Sequence, residues 1–380
     1  MYNKSQINSV IEVLKKNKTN YWTGNECKKF EKEFSNYHKV KHSIAVSNGS
    51  VALEIAIKAL RLKKGSEIIV SPRSFIISAS CALNLGYKPV FADVDSNGNL
   101  NSYEISKVIN KRTKAIVIVH LNGLPCNLDP IVKLAKKKNI YLIEDCSQAH
   151  GAKYKGEPVG SFGDIATWSF CQDKIISTGG EGGMISTNIH KLWKNCWSLK
   201  DHGKNFMKVF YKKHKTGFRW LHDDLGSNYR MTEMQATIGR HQLKNLDKNI
   251  EIRNKIAEIF LKELKSIIGS DSLFQEVSFK SKEFLNSFYR INFFLNKKKR
   301  HQLKIISEMN KNNINCIVGP CPEIYREHVF KKNSKISLKR LPNARILGET
   351  SIAFPINPHK SLKKVKQEIR RIKKILLKYV

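Results

Sequence analysis

The clearest indications of the fold lie in residues 141–174, YLIEDCSQAHGAKYKGEPVGSFGDIATWSFCQDK. Two short, continuously apolar runs in and beside this stretch, residues 140–144 and 165–170, predict buried strands. Strands that are apolar on both faces and alternate with helices predict an α/β fold with a mainly parallel sheet. The other apolar runs that predict strands are residues 67–71, 89–94 and 114–120. Helical patterns cover residues 50–62 and 75–85.

The character of the chain changes near residue 245. A Lys/Glu-rich helical pattern over residues 245–267 leads into a strand-like stretch, residues 288–295. The sequence ends in a basic helical pattern over residues 362–378. We therefore predict a large α/β domain over residues 1–245 and a smaller α+β domain over residues 246–380, since a domain holds roughly 100–200 residues.

The composition is that of a globular protein with an unusually basic surface. Hydrophobic residues make up 41% of the 380 residues, and the net charge is +36. The lysines are spread over the whole chain, without a basic block interleaved with aromatics, which favours a solvated surface over a nucleic-acid site. No apolar run approaches a membrane span. The N-terminus lacks signal-peptide features. We expect a cytoplasmic protein that binds neither nucleic acid nor membrane.

The eight cysteines are scattered and form no C-x-x-C pair. A disulfide framework is not expected in a chain of this length without a signal peptide. Because no ligand spacing recurs, we expect no structural zinc and no metal site.

Polar groups follow several predicted strands, where ligands bind in open α/β sheets. Ser-Asn-Gly-Ser, residues 47–50, precedes a helix whose free N–H groups would favour a phosphate, although these residues are also a common helix cap. Asp145 ends one strand. Lys174 lies between a strand and the glycine-rich turn 178–183, and could be held beside a ligand or simply be a solvated lysine. Asn228 opens a helix and could either cap it or bind a ligand.

These segments together resemble the DegT/DnrJ/EryC1/StrS family of sugar aminotransferases. The resemblance covers most of residues 20–245 in the family's order, and is looser in the C-terminal third, where only residues 352–356 look like the family's closing strand. A match of this length is far more specific than a single short motif. The matching stretches are residues 46–57, 67–95, 112–131, 141–170, 174–187 and 225–239.

The resemblance implies a fold-type-I architecture, like that of aspartate aminotransferase, and pyridoxal 5'-phosphate (PLP) as cofactor. It also implies a homodimer with shared active sites. Lys174 matches the lysine that binds the cofactor covalently, and Asp145 the carboxylate that pairs with the pyridine nitrogen. Such a carboxylate raises the pKa of that nitrogen by stabilising its charged form. The remaining matches are Phe75, which stacks on the ring, Gln148, which contacts the ring, Gly49, Ser50 and Ser169 on the phosphate, and Asn228, which reaches the phosphate from the other subunit.

The implied reaction moves an amino group, from glutamate, onto a nucleotide-linked keto-deoxyhexose, for surface-polysaccharide (for example lipopolysaccharide) or amino-sugar biosynthesis. A keto form of an eight- or nine-carbon acidic sugar is an alternative acceptor. Related dehydratases carry a histidine in place of Lys174, and a DNA-binding regulator on the same fold is a distant alternative. We expect the acceptor pocket to draw on residues 204–224, on residues 321–326 and on the partner subunit.

Three departures from the family pattern lie near the lysine. They are Cys171, Asp173 and an extra glycine in the turn after Lys174. A carboxylate facing the amine would raise the pKa of Lys174, so we expect Asp173 to point away or to meet a cation. We also expect nearby positive charge and burial to keep the lysine partly neutral.

Overall fold

The computed structural model describes residues 2–269, 272–275, 282–296, 301–332 and 339–380. Its centre is a seven-stranded sheet with the spatial order β1-β7-β6-β5-β4-β2-β3. All neighbouring strands are parallel except β7, which runs antiparallel to both β1 and β6. The strands are β1 His42–Val46, β2 Glu67–Val70, β3 Lys88–Phe91, β4 Thr113–Val119, β5 Tyr141–Asp145, β6 Ile165–Ser169 and β7 Gly183–Thr187.

The predicted α/β fold with a mainly parallel sheet is therefore confirmed. The five predicted strands correspond to β2 to β6, whereas β1 and β7 were not predicted. Helices cover both faces of the sheet, and α3 is buried nearly all round because it packs between the sheet and α7. The helices of this part are α1 Lys4–Lys15, α2 Glu26–Tyr37, α3 Gly49–Ala59, α4 Ile77–Asn84, α5 Ser102–Val108, α6 Leu128–Lys138, α7 His190–Lys200, α8 Phe206–Phe210 and α9 Glu233–Lys244.

The C-terminal part has its own apolar core. Two antiparallel strands, β8 Arg290–Phe294 and β9 Ser351–Pro355, pack between helices. The predicted division at residue 245 falls between α9 and α10, and remains a prediction. The remaining helices are α10 Leu246–Leu264, α11 Gln302–Lys311, α12 His328–Lys331, α13 Pro342–Thr350 and α14 Leu362–Leu376.

Shorter elements complete the described residues. Three two-residue strands, Lys153–Tyr154, Glu157–Pro158 and Phe284–Leu285, form a small sheet. Four single 3-10 turns lie at Leu121–Gly123, Lys265–Ile267, Ile324–Arg326 and Leu377–Tyr379. Among the helices that the structure describes, none is long and apolar enough to cross a membrane.

Candidate active site

One edge of the large sheet gathers most of the predicted site residues. Strands β2, β4, β5 and β6 are parallel, and β1 points the same way as β6 because both are antiparallel to β7. Their carboxyl ends therefore meet at one edge. The segments that leave this edge are residues 47–50, 71–75, 145–148 and 169–174, so residues far apart in sequence meet at one edge of the sheet.

The start of α3 is pressed against the end of β6. A Cβ added at Gly49 would lie 2.5 Å from the Cβ of Ser169, so only glycine fits there. The cap of α3 is the side chain of Asn48, which accepts a hydrogen bond from the N–H of Val51 at 2.9 Å. Ser50 is exposed in the first turn. Free N–H groups at a helix N-terminus beside two hydroxyl groups form a cradle that suits a phosphate.

Asp145 ends β5 with its carboxylate buried and without a cationic partner. One oxygen accepts from the N–H of Ser147 at 3.1 Å, and the other from the hydroxyl of Ser78 at 3.4 Å. Within the described part of the chain, no lysine, arginine or histidine forms an ion pair with it. A buried carboxylate with only neutral donors is suited to a positively charged group of a ligand.

Two further predicted residues lie at the same edge. Phe75 projects from the segment after β2 and is exposed. The side-chain oxygen of Gln148 accepts from the N–H of Asn122 at 2.9 Å, which fixes the amide just beyond Asp145. The fold therefore brings these two side chains to the edge that also holds Asp145.

The neighbour of Asp145 in β5, Glu144, serves a different purpose. Its carboxylate is fully buried and accepts hydrogen bonds from the N–H groups of Gly160, Phe162 and Gly163 at 2.8, 2.9 and 2.6 Å. The Nε2 atom of His120 lies 3.1 Å away. Burial acts to raise the pKa of Glu144, but His120 and these N–H groups outweigh it and lower the pKa. We call these five residues the Glu144 cluster.

The Glu144 cluster is not arranged for a metal, although Cys146 brings a third potential ligand atom close to Glu144 and His120. The Nδ1 atom of His120 accepts from the N–H of Cys126 at 3.0 Å, so Nε2 carries the proton and donates to Glu144. Neither ring nitrogen then has a free lone pair for a metal.

Lys174 lies in a cluster that joins the two parts of the chain. Its Nζ atom is 3.0 Å from Oδ1 and 3.3 Å from Oδ2 of Asp173, and 3.3 Å from the hydroxyl of Tyr289. The Tyr289 hydroxyl also contacts Asp173 and lies 3.1 Å from a guanidinium nitrogen of Arg290. Asp173 and Arg290 are 3.6 Å apart. We call these four residues the Lys174 cluster.

The expectation that Asp173 points away from the amine or meets a cation holds only in its second alternative. Asp173 does meet a second cation, Arg290, but its carboxylate also faces Lys174 directly. Burial acts to lower the pKa of Lys174, but Tyr289 and Asp173 outweigh it and raise the pKa. The structure thus favours the ammonium form, and the prediction of a partly neutral lysine fails because two groups from opposite sides stabilise the charge.

The glycine-rich turn holds the segment before Lys174. The N–H of Gln172 donates to the carbonyl of Gly180 at 2.9 Å, and that of Phe170 to the carbonyl of Gly182 at 2.8 Å. Gly180 has a φ of +126°, a conformation that other residues rarely adopt. These contacts fix residues 170–174 against the sheet.

Asn228 lies apart from the Lys174 cluster. The side chain is exposed. It does not cap α9, because Thr232 is the N-cap and its hydroxyl accepts from the N–H of Gln235. The next residue, Tyr229, accepts from the N–H of Ser47 at 2.9 Å, so this segment adjoins the cradle at the start of α3.

The two segments predicted for the acceptor pocket differ in how open they are. Much of the segment 204–224 is exposed: the short helix α8 has no buried residue, and Leu221 is the one buried residue of the segment. In residues 321–326, Glu323 and Tyr325 are buried and bonded to each other, and Arg340 donates to Glu323 at 3.1 Å. Those two side chains are therefore engaged within the fold.

Sequence reasoning missed three side chains at this edge, Ser78, Tyr289 and Arg290. The only available signal for the last two was a Tyr-Arg pair at the start of an otherwise aromatic strand. Ser78 lies inside a predicted helix and carries no signal of its own.

Comparisons with known proteins agree on one family. The model of the DegT/DnrJ/EryC1/StrS aminotransferase family matches residues 1–373. A GDP-perosamine synthase from Escherichia coli O157:H7 is 34% identical over 343 residues, which are 90% of this chain and 88% of that protein. The crystal structure of an aminotransferase from Psychrobacter cryohalolentis superposes with a TM-score of 0.95 at 40% identity, over 100% of this chain and 98% of that one.

A second solved structure, from a third relative, holds PLP. It is an E. coli GDP-4-keto-6-deoxy-D-mannose-3-dehydratase with bound hydrated PLP. It superposes with a TM-score of 0.87 at 26% identity, over 99% of this chain and 97% of that one.

Proposed function

This chain belongs to the DegT/DnrJ/EryC1/StrS aminotransferase family, and from that premise we propose that it transfers an amino group from glutamate to a nucleotide-linked keto-deoxyhexose. It is a PLP-dependent sugar aminotransferase. The observation that carries the proposal is the convergence of Lys174, Asp145 and the Gly49–Ser169 cradle at one edge of the sheet.

The site fits PLP in its donor chemistry. The phosphate would lie at the cradle of Gly49, Ser50 and Ser169, where a Cβ at position 49 has no room. The pyridine nitrogen would meet the carboxylate of Asp145, which has no cation of its own in the described structure. Phe75 and Gln148 would contact the ring. PLP, when bound, supplies an electron sink for carbanion chemistry.

The protein's own residues then have distinct tasks. Asp145 keeps the pyridine nitrogen protonated, since an adjacent carboxylate stabilises the charged form. Lys174 is the group that can hold the cofactor and, when its amine is free, accept a proton from the substrate carbon and return it. The Glu144 cluster ties β5 to the loop before β6, so Asp145 and Ser169 stay in place.

The sugar class is supported by the names of the relatives. A GDP-perosamine synthase and a GDP-4-keto-6-deoxy-D-mannose-3-dehydratase are both similar to this chain over most of their length. A lysine stands at position 174, where we expect a dehydratase to carry histidine, which favours amino transfer here. We place the amino-sugar product in surface-polysaccharide biosynthesis.

We further propose that two copies of the chain form a homodimer with shared sites. Phe218, Trp220 and Leu225 precede Asn228 and are 77%, 81% and 84% exposed. Large apolar side chains gathered on one surface mark an interaction site. A second copy seated there would cover these side chains and place Asn228 at its cofactor phosphate. A Phe218→Ser/Trp220→Ser protein should have about half the mass of the wild type by light scattering, and an unchanged mass would contradict this interface.

A cytoplasmic location is also proposed. All eight cysteines are free, and six of them are buried. Free cysteines are usual in a reducing compartment.

An absorbance spectrum with added PLP, before and after glutamate, tests the function. A lysine-bound cofactor absorbs near the violet edge of the visible, and its aminated form absorbs in the ultraviolet. We expect a visible band that glutamate removes, and in Lys174→Ala only the absorbance of the added free PLP. The control is Lys39→Ala, which removes an exposed lysine paired with Glu157. A wild-type protein that forms no band, or a Lys174→Ala protein that forms the same band, would refute the proposal.

A further inference from the structure

The hydrogen bonds in the Lys174 cluster define the charge of the amine. The Nζ atom has three acceptor atoms within 3.3 Å, namely both carboxylate oxygens of Asp173 and the hydroxyl of Tyr289. A lysine ammonium has three donor hydrogens, whereas a neutral amine has two and needs an acceptor role for its lone pair. The three contacts match the ammonium form.

The hydroxyl of Tyr289 is used to its full capacity. It donates its one hydrogen to Asp173, and it accepts from Lys174 at 3.3 Å and from Arg290 at 3.1 Å. A hydroxyl has one donor and two acceptor positions. Its orientation is therefore fixed by three partners, two of which belong to the segment around Lys174.

The contact between Asp173 and Lys174 is local in sequence. The N–H of Lys174 donates to the carbonyl of Cys171 at 3.0 Å, which closes a turn over residues 171–174. Tyr289 approaches from the C-terminal part, 115 positions further along the chain. The amine is thus held from two sides, by its own turn and by the residue before β8.

The amine nevertheless stays accessible. The side chain of Lys174 is 17% exposed and that of Asp173 is 52% exposed. Both line a cleft of about 490 Å³ that Arg253 and His359 also line. A small aldehyde can therefore reach the amine without unfolding.

We propose that Asp173 and Tyr289 are positioning residues that hold the free amine of Lys174 as an ammonium, and we call these contacts the clamp. Lys174 then bonds to an aldehyde only after the ammonium has lost a proton. In that step the ammonium loses one proton to solvent. The neutral nitrogen then bonds to the aldehyde carbon, and the aldehyde oxygen leaves as water with the two remaining amine hydrogens. No oxidant or reductant is required.

Other charged or titratable groups near the amine do not replace this clamp. Burial keeps the pKa of His150 well below its usual range, so that ring is neutral. Arg253 and Arg290 are cations and oppose a second positive charge. Asp173 is the only carboxylate that hydrogen-bonds to Lys174 among the residues that the structure describes. The raised pKa of Lys174 agrees with this arrangement.

Asp173→Asn tests the clamp, with Asp129→Asn as the matched control. Asp129 is also paired with a lysine, Lys155, and its side chain is 56% exposed, close to the 52% of Asp173. Loss of a nearby opposite charge lowers the pKa of a lysine by about one unit or more. PLP capture by cofactor-free protein, followed as the visible band from pH 7 to 9 with the Lys174→Ala signal subtracted, should therefore be about tenfold faster in Asp173→Asn. Asp129→Asn should match the wild type.

A second measurement needs no cofactor. In protein labelled with ¹³C at the lysine ε-carbons, the Lys174 signal is the one missing from Lys174→Arg. Its titration midpoint should fall by about one pH unit in Asp173→Asn, and by less in Tyr289→Phe. Asp173→Thr serves in place of Asp173→Asn should that variant not fold.

The two measurements separate the clamp from the proposed function, on which its consequence for PLP rests. An unchanged midpoint would overturn the clamp, and so would coinciding capture rates of wild type and Asp173→Asn in a protein that does capture PLP. A lowered midpoint in a protein that captures no PLP would support the clamp and overturn the proposed function.

Discussion

The Glu144 cluster and the Lys174 cluster both hold charged groups at the carboxyl edge of the sheet, but they are built differently. The carboxylate of Glu144 is fully buried and accepts hydrogen bonds from three backbone N–H groups and from His120. Lys174 is partly exposed, and among the described residues its amine hydrogen-bonds only to side chains, one of which comes from the C-terminal part. Fixed backbone donors suit a group that keeps one protonation state, and side-chain partners suit a group whose protonation state must change.

Asp145 lies between these extremes, because its carboxylate is buried but has few hydrogen bonds inside the protein. It follows Glu144 directly, so the alternation of a strand sends the two carboxylates to opposite faces. Glu144 has its hydrogen bonds satisfied inside the protein, whereas Asp145 has two neutral donors and no cation in the described structure. An incompletely compensated buried carboxylate marks the side that binds a ligand.

The largest effect on stability is expected for Glu144→Ala. Removing one partner of a buried, hydrogen-bonded charge typically costs about 3–5 kcal/mol, because His120 and three N–H groups lose their acceptor. Asp145→Ala should cost only about 1 kcal/mol, since it leaves a hydroxyl and one N–H unpaired. Urea unfolding of both variants measures the difference.

For activity we expect the opposite order, with the larger loss at Asp145 and the smaller one at Glu144. Loss of a preorganised electrostatic group costs about 100-fold or more in rate, so Asp145→Ala should lose the glutamate half-reaction although it folds. Glu144→Gln, which keeps the shape, should retain activity. Equal losses of stability in the two alanine variants would erase the distinction between the two faces of β5.

The comparison can be extended to a second buried titratable side chain, His38, by measuring stability in acid. Its ring stacks on Phe34 with the centroids 4.1 Å apart, and burial lowers its pKa to about 3. The unfolded chain takes up this proton near pH 6.5, the folded chain only near pH 3. Stability from this group is therefore present above pH 6.5 and is lost as the pH falls, by up to about 1.4 kcal/mol per pH unit.

His38→Phe should flatten this dependence. Between pH 7 and pH 5, unfolding free energy should fall by about 2 kcal/mol less in His38→Phe than in wild type. The exposed His222, changed to Gln, is the control and should keep the wild-type slope. Parallel curves for wild type and His38→Phe would mean that the ring is not held neutral.

The smallest effect on stability is expected in the Lys174 cluster. Arg290→Met removes a partly exposed cation from Asp173, and such pairs contribute at most about 1 kcal/mol. We expect the unfolding free energy of Arg290→Met to lie within about 1 kcal/mol of the wild-type value. The pH dependence of PLP capture should change in the same variant. A loss as large as that of Glu144→Ala would show that this cluster, too, is structural.

Much of the fold could be predicted from sequence because β2 to β6 contain short apolar runs, and helices separate β2 to β5 from one another. β1 and β7 were missed because their continuous apolar runs, residues 44–46 and 184–185, are only three and two residues long. The site followed from what stands after each strand: Gly49, Asp145, Ser169 and Lys174 share an edge because parallel strands all end there. The roles assigned to these four residues, and those of Ser50, Phe75, Gln148 and Asn228, came from the family resemblance and stay predictions.

Five strands of the large sheet, the residues at their ends and the family could be predicted from the sequence alone. The packing of the folded chain was needed to show which of two adjacent carboxylates is satisfied internally, and that Asp173 faces Lys174. It also brought in Tyr289 and Arg290, which lie 115 and 116 positions after Lys174. The reason is physical, because the charge of a side chain depends on every group packed around it, and most of those groups are distant in sequence.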